Sequence, residues 1–227
     1  MGMSNVGIVH KVVNVNIDAR LITAMCADRP YHHGDLREQL LGRAEQALRA
    51  DGVERLSLRR LAREVGVTHN APSRHFPDKQ ALLDALALVG FQRLGNAFGA
   101  AAVEAEGRPF EERFRVLARA YLDFALDNSA LLTLMFARKH SPATGADMAA
   151  AVAGAFAVPV RLTAEGQARG EVVEGDPMRL GRTIAVALQG LVGFVTSGMV
   201  GPDDIDDLLN DTVTRLTLGL LPRTTVE

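Results

Sequence analysis

The chain has 227 residues, of which 48% are hydrophobic and 23% are charged, so it can bury one large core or two smaller ones. Its formal net charge is −2, and its single cysteine, Cys26, excludes a disulfide framework and favours a reducing cytoplasm. Because no run of about 18 uninterrupted apolar residues exists, we predict no transmembrane helix and no membrane partner.

The charges are unevenly distributed along the chain. Residues 29–94 carry 11 Lys and Arg against 8 Asp and Glu, whereas residues 95–227 carry 12 against 17. A basic N-terminal part joined to an acidic remainder predicts contact with nucleic acid at one end only.

The first 30 residues lack a basic start, a long apolar stretch and a small-residue cleavage site, so we predict a flexible N-terminal extension over residues 1–30. The first clear helix begins at Asp35, which has the spacing of a capping box with Glu38. Leucine and alanine then recur every three to four residues until Asp51 and Gly52 end the helix.

Two short helices are predicted next, with a tight glycine turn between them. Ser57 is a good N-cap for the second helix, and Gly66 ends it. Thr68 is the predicted N-cap of a third helix that runs to about His75, with Pro72 close enough to its start to be tolerated. The apolar residues pack these helices together and leave a polar face outward, which fits the major groove of DNA.

Six longer helices are predicted in the rest of the chain, and no strand. Asp78 is the N-cap of the fourth, and Asp176 followed by Pro177 is a strong start for the eighth. The predicted fold class is therefore all-α with about nine helices. A three-helix DNA-binding domain of the helix-turn-helix kind spans residues 31–80, and a larger helical domain spans residues 81–227.

Several of these stretches resemble the TetR family of bacterial transcription regulators. The run 56–68 matches the family pattern, and so does the run 75–83, where an aromatic residue is followed within three residues by lysine and then by a leucine pair. The opening 31–37 and the later run 121–136 are also similar. The resemblance covers most of residues 31–221.

The resemblance implies a ligand-responsive transcription regulator, most often a repressor that leaves a palindromic double-stranded DNA operator when a small apolar molecule binds. It implies a homodimer joined through the last two helices, no cofactor and no enzymatic activity. The residues themselves offer no metal-binding motif and no catalytic arrangement. Two alternatives stay open: a helical carrier or enzyme that retains a helix-turn-helix-like segment, and a regulator for which the ligand is an activator.

The predicted DNA contacts lie on and around the third helix. Asparagine pairs well with adenine and histidine with guanine or phosphate, while hydroxyls and cations contact phosphates. The candidates are Ser57, Thr68, His69, Asn70, Ser73, Arg74 and Lys79. The role of Lys79 at a phosphate is implied by the resemblance, and family members usually have tyrosine where this chain has Ser73. The simpler interpretation of each side chain is a solvated surface residue.

In the family, the helices of the larger domain enclose a ligand cavity. The candidate lining residues are Tyr121, Phe124, Met135, Phe136, Phe156, Gln189 and Phe194. At helical spacing such residues are first of all core residues, and a pocket built from them would be mostly apolar. Gly190 and Gly193 lie on the eighth predicted helix with no preceding strand, which favours close helix contact in a dimer interface over a phosphate loop.

Overall fold

The computed structural model describes residues 33–136 and 142–221, so the extension predicted over residues 1–30 lies outside it. Within the described residues there are eight α-helices and three short 3-10 turns, and no strand, which confirms the all-α fold class. The α-helices are α1 (His33–Asp51), α2 (Leu58–Glu64), α3 (Lys79–Glu104), α4 (Phe110–Asp127), α5 (Ser129–Met135), α6 (Gly145–Ala168), α7 (Pro177–Thr196) and α8 (Ile205–Leu220).

Two aspartates cap helices as their sequence context predicts. At the start of α3, the backbone N–H of Ala81 donates to Asp78 Oδ1 over 2.8 Å. At the start of α7, the N–H of Met178 donates to Asp176 Oδ1 over 2.9 Å. Each carboxylate accepts from a backbone N–H that has no partner within its own helix, which stabilises the first turn.

The ends of α1 and α2 differ slightly from their predicted form. The first described helix begins at His33, two residues before the predicted start at Asp35. Ser57 occupies the extended N-cap position of α2, but its side chain makes no capping hydrogen bond. Its carbonyl oxygen instead accepts from the N–H of Leu61 over 3.0 Å, which closes the first turn of α2.

The predicted third α-helix is wrong, because the segment forms turns instead. The N–H of Ala71 donates to the carbonyl of Thr68 over 3.0 Å, and Pro72–Arg74 form one 3-10 turn. Pro72 has no N–H and cannot donate to the carbonyl four residues earlier, so a regular α-helix is interrupted in its first turn. Tighter bonds between residues three apart take its place.

The central helix of the larger domain is α3, which packs against α4, α5 and α6. Two glycines bring it close to its neighbours. A Cβ on Gly90 would lie 2.5 Å from Sδ of Met135, and one on Gly95 would lie 3.2 Å from Cα of Ala155. The absence of side chains at these positions lets α3 approach α5 and α6 at short range.

The remaining helices complete the same domain: α4 contacts α7 and α8, α6 contacts α7, and α7 contacts α8. By length and composition alone, three of the described helices, α3, α6 and α7, are long and apolar enough to cross a membrane. In this structure the apolar faces of α3 and α6 pack on each other, and α7 packs on α6.

The close approach at Gly90 predicts opposite effects for two substitutions in α3. Gly90→Ala should lower the free energy of unfolding by about 1–3 kcal/mol, because the new methyl group overlaps the buried Met135 side chain. Gly99→Ala is the matched control: no atom lies within 4 Å of its added Cβ, so it should raise stability by about 0.5–1 kcal/mol. Urea unfolding at one fixed protein concentration measures both, and equal effects would contradict the packing described.

Candidate nucleic-acid interface

A glycine turn separates α2 from the segment that carries most of the predicted DNA contacts. Gly66 adopts φ +75°, a left-handed conformation that glycine reaches without a Cβ penalty. The N–H of Val67 then donates back to the carbonyl of Ala62 over 2.9 Å, which ends α2 and redirects the chain. We call residues 68–76, which follow this turn, the recognition segment.

The recognition segment has apolar residues inward and polar residues outward. Phe76 and Pro72 are buried, and the guanidinium of Arg37 lies 5.5 Å from the centroid of the Phe76 ring. Six of the seven predicted DNA-contact side chains are exposed: Ser57, Thr68, His69, Asn70, Ser73 and Arg74. The buried pair therefore anchors the segment while its polar side chains face solvent.

Lys79, the seventh candidate, is half-buried at the first position of α3. Its Nζ donates to the carbonyl oxygen of Glu54 over 3.2 Å, which ties α3 to the loop between α1 and α2. An ammonium group has three donors, so this hydrogen bond leaves two for a phosphate.

Two arginines, Arg43 on α1 and Arg60 on α2, form ion pairs with carboxylates of these helices. Arg60 Nη1 lies 2.5 Å from a carboxylate oxygen of Asp51, and Arg60 Nε lies 2.8 Å from one of Glu64. Arg43 Nη2 lies 3.1 Å from the same Glu64 carboxylate. The hydrogen bond from Arg60 is the main reason that the pKa of Glu64 is lowered, and the same bond raises the pKa of Arg60. These ion pairs link α2 to α1 at the protein surface, where such pairs contribute little to stability.

Arg59, the neighbour of Arg60 on α2, is exposed and forms no ion pair with the described residues. It lies two positions after Ser57 in the chain and is a candidate phosphate contact that was not among those predicted from the sequence. Three arginines lie close together in the sequence, at positions 59, 60 and 63. Only the folded structure shows that Arg60 forms ion pairs within the protein.

An apolar cavity of about 40 Å³ lies in the larger domain between α3, α4, α6 and α7. Its lining residues are Phe98, Phe110, Phe114, Leu117, Ala118, Pro159, Leu162, Thr163, Gly181, Ile184 and Leu188. The one side-chain hydroxyl among them, on Thr163, donates to the carbonyl of Pro159 over 3.0 Å. No charged side chain lines this cavity.

The seven predicted pocket residues are spread more widely than the sequence suggested. Tyr121, Phe124 and Met135 are buried, Phe156 is half-buried, and Phe136, Gln189 and Phe194 are exposed. None of them lines the apolar cavity, and their role in ligand binding stays a prediction.

Two of these seven side chains, Tyr121 and Phe156, contact Phe98, which itself lines the cavity. Phe98 lines the cavity, with its ring centroid 6.3 Å from that of Tyr121 and 6.1 Å from that of Phe156. The hydroxyl of Tyr121 donates to Oε1 of Gln189, and burial raises the pKa of Tyr121 to about 12. The phenol is therefore neutral at physiological pH.

Exposed polar residues on a helix-turn-helix scaffold, joined to a helical domain with an apolar cavity, define a ligand-responsive DNA-binding transcription regulator. Two family models match this chain. Residues 40–86 match the model described as bacterial regulatory proteins, tetR family, and residues 114–216 match the tetracyclin repressor-like, C-terminal domain. The chain belongs to the TetR family, whose members are generally not enzymes.

Solved structures share this fold over nearly their whole length. One from Rhodococcus sp. RHA1, described as a protein with unknown function, is 42% identical, covers 85% of this chain and 99% of its own, and has a TM-score of 0.77. A TetR family protein from Vibrio parahaemolyticus is 26% identical, with coverages of 83% and 100% and a TM-score of 0.68. A TetR/AcrR family regulator from Thermobifida fusca YX-ER1 is 26% identical, with coverages of 82% and 98% and a TM-score of 0.62. Comparison with curated proteins gives no match.

The raised pKa of Tyr121 predicts a pH-dependent contribution to stability. The phenol ionises near its ordinary pKa of 10.0 in the unfolded chain and at about 12 in the native protein. Its neutral form therefore stabilises the fold fully below pH 10, and that contribution is lost as the pH rises towards 12. Tyr121→Phe should cost about 0.5–1.5 kcal/mol at neutral pH, where the hydrogen bond to Gln189 is lost.

The measurement is the free energy of unfolding of wild type and Tyr121→Phe between pH 8 and pH 12. The difference between them should shrink as the pH rises. Parallel curves for wild type and Tyr121→Phe would contradict the assignment.

Proposed function

We propose that the chain is a cytoplasmic homodimeric repressor that binds a palindromic DNA operator and leaves it when a small apolar effector binds. The observation that carries the DNA-binding part is the recognition segment, anchored by Phe76 with its polar side chains exposed. We assign DNA binding to residues 31–80 and effector binding and dimerisation to residues 81–227. The helix α3 runs from the first domain into the second.

In this proposal, Asn70 and His69 contact base edges in the major groove. An asparagine side chain presents a donor and an acceptor that match N6 and N7 of adenine. Ser57, Thr68 and Ser73 donate hydrogen bonds to phosphates, and Arg74 and Lys79 neutralise phosphate charge. Serine at position 73 reaches less far than the tyrosine usual in the family, so Arg74 and Arg59 gain weight in holding the DNA backbone.

Exposed apolar side chains on α7 and α8 support dimerisation through these helices. Val186 and Phe194 are 73% and 57% exposed, and both lie on one face of α7 with the exposed Gly190 between them. Leu218 is exposed on α8. Because exposing apolar groups of this size to water is unfavourable, a dimer in which a second copy of the chain covers them would be stabilised. A two-fold dimer would then present two recognition segments to successive turns of DNA.

The apolar cavity supports an uncharged effector. At about 40 Å³, it is far smaller than the several hundred Å³ of an occupied ligand pocket, so an effector must widen it. Widening displaces α6 or α7, which form two of its walls. An effector that binds the widened state better shifts the population towards it, and α3 carries the change to the recognition segment. We propose repression because it is the commoner behaviour for this family. A helical carrier or enzyme, the alternative, is not favoured, because the recognition segment would then have no use.

Fluorescence-anisotropy titration with the DNA immediately upstream of the chain's own gene tests the DNA-binding part. Wild-type protein should bind this duplex selectively over a scrambled one. Asn70→Ala should weaken selective binding by roughly tenfold to a hundredfold, since it removes a base contact worth about 1–3 kcal/mol. Arg74→Ala should weaken binding to both duplexes and reduce the salt dependence by about one phosphate contact.

Arg161→Ala is the matched control, because Arg161 is an exposed arginine on α6 that has no assigned DNA contact. It should leave both the affinity and the salt dependence unchanged. Equal effects of Arg74→Ala and Arg161→Ala would reduce the contribution of Arg74 to general charge attraction. Binding without sequence preference would contradict the proposal. The same titration with candidate effectors added distinguishes a repressor from an activator.

The dimer interface is tested with two valines of nearly equal exposure. Val186 on α7 is 73% exposed and Val103 on α3 is 74% exposed. Val186→Glu should convert the dimer into monomers, because a buried unpaired carboxylate at an interface is strongly unfavourable. Val103→Glu should leave the dimer intact. Sedimentation equilibrium measures both, and a dimer that survives Val186→Glu would rule out this face of α7.

A further inference from the structure

A buried carboxyl group lies in the second turn of α3. Asp84 is 0% exposed, and it forms hydrogen bonds with both of its side-chain oxygens. Oδ1 accepts from Nε2 of Gln80 over 2.8 Å, and Oδ2 accepts from the hydroxyl of Thr144 over 3.0 Å. Burying a carboxyl group is unfavourable unless hydrogen bonds replace the water it loses, so contacts such as these two stabilise the residue there.

The hydrogen bond between Asp84 and Thr144 joins the two matched parts of the chain. Asp84 falls within the N-terminal match over residues 40–86, and Thr144 falls within the C-terminal match over residues 114–216. Thr144 occupies the N-cap position of α6, yet its side chain makes no capping hydrogen bond there. Its hydroxyl serves the contact with α3 in place of the start of its own helix.

The helix that begins beside Thr144 also forms a wall of the apolar cavity. Pro159, Leu162 and Thr163 of α6 line that cavity. They lie roughly 25 Å from Thr144 along the helix axis, at 1.5 Å per residue. Helix α6 is continuous from Gly145 to Ala168, and Pro159 inside it removes one backbone hydrogen bond without ending the helix. A displacement of α6 at the cavity is therefore carried along the helix to Thr144. Thr144 is hydrogen-bonded to Asp84, so its movement shifts the second turn of α3, close to the recognition segment.

A polar contact does something here that apolar packing alone would not. Apolar side chains hold two helices together but tolerate small slides and rotations, whereas a hydrogen bond requires a defined distance and direction. Replacing buried polar groups by apolar groups of similar size is often neutral for stability, so stability alone does not explain this pair. Its directional character suits the fixing of one orientation.

We propose that the Asp84–Thr144 hydrogen bond is a positioning contact that fixes the orientation of the first turns of α3 and thereby sets the distance between the two recognition segments of the dimer. The inference rests on the proposed binding of a dimer to a palindromic operator. Without the hydroxyl of Thr144, α3 adopts a wider range of orientations. The dimer then accepts half-sites at more than one spacing.

The test compares two DNA duplexes, the operator and the same operator with one base pair inserted at its centre. The insertion rotates one half-site by about 34° relative to the other. Wild-type protein should prefer the unaltered operator by roughly tenfold or more, and Thr144→Val should reduce this preference to about threefold or less. Thr144→Ser retains the hydroxyl and should restore the preference. Thr133→Val, which removes a hydroxyl that donates to the carbonyl of Ser129 within α5, should behave as wild type.

The ratio of the two affinities separates positioning from folding. A variant that is merely less stable has a smaller active fraction, which weakens binding to both duplexes equally and leaves the ratio unchanged. An unchanged ratio in Thr144→Val, or a ratio that Thr144→Ser fails to restore, would overturn the positioning role. Wild-type protein that binds the upstream DNA without selectivity would overturn the proposed function itself, and this inference with it.

Discussion

The packing of α3 against α4, α5 and α6 is the interaction on which the rest of the molecule depends. The helix begins at Lys79, next to the recognition segment, crosses the larger domain and ends at the exposed Glu104. Gly90 and Gly95 allow close contact with the neighbouring helices, so movement along this interface is restricted. A change in the larger domain therefore reaches the DNA-binding end through a single continuous element, with no flexible linker between them.

At the DNA-binding end, two kinds of interaction divide the work. Burial of Phe76 anchors the short recognition segment, and the ion pairs of Arg60 and Arg43 link the seven-residue α2, which is too short to be stable alone, to the longer α1. The side chains that remain outside these contacts are free to meet DNA. The charges of Arg60 and Arg43 are thus used in ion pairs within the protein, whereas the exposed polar side chains of the recognition segment are available for DNA.

Local signals in the sequence were sufficient for the helix starts at Asp78 and Asp176 and for the family, because capping and motif spacing depend on residues close in the chain. The interruption at Pro72 was missed, since a proline near a helix start is tolerated in many contexts and only the tertiary setting decides. Pairing of Arg60 with residues on two helices was also invisible. The residues that line the cavity come from four helices. Periodicity identifies the buried face of each helix, but it does not show where the packed faces leave a space between them.

The lining of the apolar cavity has a consequence for how a cell would use such a regulator. The effector proposed above would leave water for a space with no charged side chain and with its one hydroxyl already bonded, so it would carry little charge or polarity itself. Molecules of that kind also dissolve in the hydrocarbon interior of a bilayer and cross it without a carrier. A regulator that binds such molecules would respond to their concentration outside the cell without the need for a transporter.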